Sequence, residues 1–97
     1  MFPRSVEKRL MEISRRIKQQ KEDLLVAEEQ LISLTSDADE ARIRSLVSET
    51  AISDNDRRDS VRQSENMQKY CHKIRNEIQR LEEMQDALLD KMNTENI

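Results

Sequence analysis

The chain has 97 residues, 38 % of them charged and 2 % aromatic, so it can hold at most one small domain with little material for a globular core. Gly is absent and Pro occurs once, at Pro3, which argues against a sheet or a loop-built active site and leaves the residue types of long helices. The net charge of −3 disfavours wholesale binding to nucleic acid or an acidic membrane, and a lone cysteine rules out an internal disulfide. There is neither an apolar stretch resembling a signal peptide nor one of membrane-spanning length, so a cytoplasmic protein is expected.

Helix 1 is predicted over about residues 4–49. Pro3 suits a first helical turn and Ser5 a cap, because proline tolerates the start of a helix and a serine oxygen can satisfy an orphan amide. From there Val6, Leu10, Ile13, Ile17, Gln20, Leu24, Ala27, Leu31, Leu34, Ala38 and Ala41 follow at alternating steps of four and three, a heptad seam with Leu10, Ile17, Leu24, Leu31 and Ala38 at position a. Its weakest point is Thr35 to Glu40, where Ser36 and Asp37 with Asp39 and Glu40 resemble a helix start, so a break there is the alternative to a continuous helix.

A turn is predicted over about residues 50–55, and helix 2 over about 56–93, the whole forming one domain, residues 1–97. Ser53, with Asp56 three residues on, is the expected cap of helix 2, and Asp54 and Asp56 suit the positive end of its dipole. Ser60, Ser64, Met67, Cys71, Ile74, Ile78, Leu81, Gln85, Leu88 and Met92 then repeat the seam spacing, with fraying expected after Asn93. When seam residues whose numbers sum to 105 are paired, Leu24 meets Leu81, Ile17 meets Leu88, Ile13 meets Met92, Leu34 meets Cys71, and the two large polar seam residues, Gln20 and Gln85, meet each other. The fold class expected is therefore all-α: an antiparallel helical hairpin with coiled-coil packing.

Charge favours the same orientation. Residues 1–21 carry seven basic and two acidic side chains and fall beside residues 84–97, with three acidic and one basic. Residues 22–40 carry seven acidic and no basic side chains and fall beside Lys69, Lys73, Arg75 and Arg80. Flanking pairs expected from this register are Lys21 with Glu82 and Glu28 with Arg75, each contributing about 0.2 to 1 kcal/mol.

Few residues invite chemistry. Cys71 sits on the seam and His72, the one histidine, points away from it, so the two cannot form a nucleophile–base pair or a zinc site. No catalytic, metal-binding or cofactor-binding residue is expected, and the chain is not expected to be an enzyme. Gln20 and Gln85 are expected to form a polar layer that sets register. Outside the seam, Met11, Leu25, Ile32 and Leu46 share heptad position b, with Val26, Ile43 and Val47 beside them. That repeat makes them the candidate partner-binding residues. The expected partner is a second copy, giving a four-helix dimer, with an unidentified protein as the alternative.

Two further surfaces support other functions. Arg4, Lys8, Arg9, Arg15, Arg16 and Lys18 form a basic N-terminal end that could face phosphates, though without interleaved aromatics nucleic-acid binding is the secondary expectation. The acidic turn with Glu49, Asp54 and Asp56 resembles the coiled-coil hairpins that bacterial transcription factors insert into the RNA polymerase secondary channel, which would imply a hairpin-tip regulator of a larger machine. The run Val26, Ala27, Glu28, Glu29, Gln30, Leu31, then Ala41, Arg42, then Leu46 to Thr50 and Asp56, Arg57 resembles a group of short uncharacterised actinobacterial coiled-coil proteins. That resemblance implies a bacterial, cytoplasmic interaction or scaffold protein and no particular activity.

Overall fold

The structure, a computed structural model, describes the backbone of residues 2–95 and the side chains of residues 5–94. Two helices form an antiparallel hairpin: α1 spans Phe2–Ser48 and α2 spans Ala51–Glu95. Since α1 already includes Phe2, Ser5 lies inside the helix and does not cap it. The side chain of Pro3 lies outside the described residues.

α1 runs without a break through Thr35–Glu40. The helix-start signature there loses to the seam, because Ala38 and Ala41 are both buried and a break would expose them. Its acidic residues are also satisfied within the helix, Asp39 by Arg42 at 2.9 Å and Glu40 by Arg44 at 3.8 Å. At the other end of the molecule α2 extends past Asn93 to Glu95, and Thr94 Oγ1 donates to the Asp90 carbonyl at 2.8 Å.

The reversal takes two residues, Glu49 and Thr50, in place of the longer turn over residues 50–55. Glu49 adopts φ of 50°, the left-handed conformation, and its N–H donates to the Ser45 carbonyl at 3.0 Å. This is the single-bond left-handed cap that glycine usually provides, here filled by glutamate in a chain without glycine. Thr50 then caps α2: its Oγ1 accepts from the Ser53 N–H at 3.2 Å, while the Thr50 N–H donates to Ser53 Oγ at 3.3 Å. Ser53 is thus the inner partner of a reciprocal capping box rather than the cap itself. Helix 2 begins five residues earlier than expected because this box closes one turn before the Ser53–Asp56 pair could. Burial does not drive the extension, since Ile52 in that added turn is 76 % exposed.

The shorter turn moves the register. Ser14 bonds to Gln85, and Thr35 Oγ1 lies 3.3 Å from Ser64 Oγ; both pairs of residue numbers sum to 99. A tight reversal at Glu49 and Thr50 has the same sum. The pairing expected at 105 is therefore displaced by about one heptad. Leu24 stands level with Ile74 instead of Leu81, Ile17 with Leu81 instead of Leu88, and Leu34 with Ser64 instead of Cys71. Because the slide is about seven residues, every seam residue keeps its inward face while changing its neighbour.

The hairpin gathers into two compact units. One comprises Met1–Leu24 and Ile74–Ile97, and its core is Val6, Ile13, Ile17, Leu81 and Leu88, with Leu10, Met84 and Met92 packed against it. The other comprises Leu25–Lys73. Its buried residues are Ala27, Ala38, Ala41 and Cys71, with Leu31, Leu34 and Met67 half-buried and Ser45, Ser53, Ser60 and Ser64 completing the seam toward the reversal.

Two outcomes test this geometry. Replacing Thr50 by Ala should cost about 1 kcal/mol in denaturant unfolding, while Glu49→Gly should stabilise by about 0.5 to 1 kcal/mol by relieving the left-handed β-carbon. In a Cys71→Ala background, Thr35→Cys with Ser64→Cys should form an intrachain disulfide on mild oxidation. Thr35→Cys with Tyr70→Cys, level only at a sum of 105, should not, and the reverse result would restore the longer turn.

Candidate interaction surface

Side chains outside the seam divide unequally between the helices. In the unit of Leu25–Lys73, α1 exposes Leu25 at 61 %, Ile32 at 72 % and Leu46 at 78 %, with Val26, Ile43 and Val47 also exposed. In the other unit α1 exposes Met11. All four b-position residues named from the sequence are therefore accessible. On α2 the exposed large apolar residues are Ile52, Tyr70 and Leu89, which share no heptad position. A repeat of exposed apolar side chains at intervals of seven is a feature of α1 alone.

The other sequence candidates fall elsewhere. Cys71 is a free, fully buried thiol, and His72 beside it is exposed. Among the described residues no group of three or more His, Cys, Asp or Glu could hold a metal ion. Lys8, Arg9, Arg15 and Lys18 are exposed, Arg16 bonds across to Glu77, and the side chain of Arg4 lies outside the described residues.

Gln20 and Gln85 do not form the expected layer. Gln85 Nε2 donates to Ser14 Oγ at 3.0 Å, because the displaced register carries it about seven residues away from Gln20 along the partner helix. Cross-helix polar contacts among the described residues include Ser14 with Gln85 and Thr35 with Ser64. A signal for these was present: Ser14 and Thr35 are hydroxyls at heptad position e, three heptads apart, and Ser64 and Gln85 are polar seam residues separated by the same interval. Only one register joins both pairs.

A cross-helix ion pair joins Arg16 to Glu77 at 3.3 Å, while among the described residues Lys21 does not pair with Glu82. Arg80 also binds Glu77, through Nη2 at 2.6 Å and Nε at 3.0 Å. The Arg80 hydrogen bonds, helped by the charges of Arg80 and Arg16 and opposed by partial desolvation, hold the Glu77 carboxyl below its ordinary value. Asp54 is lowered in the same way by the Arg57 hydrogen bonds and the Arg58 charge, which fixes the first turn of α2.

No family model, characterised protein or solved structure matches the chain.

Glu77 supplies a pH test. Its folded value is depressed, so its contribution is fully present above the ordinary glutamate value and is lost as pH falls through the lowered one. Across that acid range the melting temperature of the wild type should fall more steeply than that of Glu77→Gln, and the two slopes should converge at neutral pH.

Proposed function

We propose that this hairpin is a non-enzymatic protein–protein interaction module that self-associates through the outer side of α1. One observation carries the reading: Leu25, Ile32 and Leu46 recur at position b and remain mostly exposed in the hairpin. Polar solvent-facing sides do not repeat large aliphatic residues at that interval, and covering each such side chain contributes about 1.5 to 3 kcal/mol. Two hairpins meeting on these sides would make a four-helix arrangement, the smallest assembly that supplies each pair of long helices with a second apolar contact.

Sedimentation of the wild type and of a Leu25→Glu, Ile32→Glu variant tests the reading. The wild type should sediment as a dimer and the variant as a monomer of unchanged helical content and lower melting temperature. Replacing Lys73 and Asn76, exposed on α2, with Ala should leave the dimer intact. A wild type that stays monomeric at high concentration would falsify self-association.

A further inference from the structure

The full b row of α1 reads Met11, Lys18, Leu25, Ile32, Asp39, Leu46, and each of these side chains is exposed. Its polarity is symmetric about the midpoint between Leu25 and Ile32: apolar, basic, apolar, apolar, acidic, apolar. Reversed and laid against itself, the row matches Met11 with Leu46, Leu25 with Ile32, and Lys18 with Asp39. Building on the self-association reading, we infer that the occupant of this side is a second copy of the chain whose α1 runs antiparallel, with Lys18 of each copy paired to Asp39 of the other.

The two charged residues suit that role. Among the described residues Lys18 has no side-chain partner within its own chain, although it is flanked in the row by apolar neighbours. Asp39 accepts a hydrogen bond from Arg42 at 2.9 Å through one carboxylate oxygen, and its side chain remains 61 % exposed for a second cation. The flanks agree. Residues 8–21 hold six basic and one acidic side chain, and this register sets them against residues 36–49, with four acidic and two basic. A parallel pair would set Lys18 on Lys18, Asp39 on Asp39, and the basic stretch on itself. The antiparallel register does place like charges beside the two-fold axis, where Glu28 and Glu29 of both copies lie one position outside the apolar row.

Single charge reversals separate the possibilities. Lys18→Asp alone sets a carboxylate against Asp39 at both ends of the antiparallel dimer, and Asp39→Lys alone sets an ammonium against Lys18. Each variant should dimerise with an affinity roughly tenfold below that of the wild type. Mixed in equal amounts, the two are complementary at both ends, because the substituted position 18 of one copy then faces the substituted position 39 of the other, while the unchanged Asp39 of the first faces the unchanged Lys18 of the second. Sedimentation should then recover association above that of either variant alone, and native mass spectrometry with one variant isotopically labelled should show the mixed dimer in excess over either pure one. Circular dichroism of each variant checks that the helices persist. Wild-type affinity for both single variants, or a statistical mixture of dimers, would overturn the antiparallel pairing while leaving self-association standing. A monomeric wild type would instead remove the reading on which the pairing rests.

Discussion

Everything about the packing of this molecule follows from the reversal at Glu49 and Thr50. A heptad seam is indifferent to sliding by seven residues, because each slide returns a residue of the same inward face to each layer. The long faces of α1 and α2 therefore restrict the pairing to a set of registers without choosing among them. The choice is made by a few short hydrogen bonds: the Glu49 amide to Ser45, and the reciprocal pair joining Thr50 to Ser53. Once these close the chain in two residues, the hydroxyls of Ser14 and Thr35 meet Gln85 and Ser64, and the remaining layers have no freedom.

This explains which features were legible in the amino-acid order and which were not. Helix content, antiparallel sense and seam membership are properties of periodicity, repeated over many residues, so single exceptions cannot conceal them. Val6, Ile13, Ile17, Ala27, Ala38, Ala41, Cys71, Ile74, Ile78, Leu81 and Leu88 are all seam positions, and all are buried. Register is a local property, decided by two competing caps three residues apart, Thr50–Ser53 and Ser53–Asp56. Ser53 belongs to both, and the absence of glycine concealed the left-handed residue that completes the first. The false match of Gln20 with Gln85 had the same origin, since two polar residues in like seam positions pair on paper in whichever register brings them level. The accessible row on α1 was legible for the opposite reason: it depends on the face of one helix and not on its neighbour across the seam.

The charges act on two scales. Within a helix, Arg42, Arg44, Arg57, Arg58, Arg62 and Arg80 each neutralise an acid three or four residues away, contributing little individually but leaving few strong local fields on the surface. Between helices, Glu77 joins Arg16 and Arg80 into one cluster, in which the Arg80 hydrogen bonds outweigh the partial desolvation that opposes the charged carboxylate.

The unequal seams have a kinetic consequence. Contacts near the reversal join residues close in sequence and need only short loops to close, but there the seam is Ala38, Ala41, Ser45, Ser53 and Ser60, side chains with little area to bury and few rotamers to lose. The larger residues, Ile13, Ile17, Leu81 and Leu88, meet only after the chain between them has been drawn in. The end of the hairpin that closes most readily is thus the end that holds least tightly. A partly zipped chain gains little until the aliphatic layers engage, so half-formed hairpins remain sparse and folding approaches an all-or-none event.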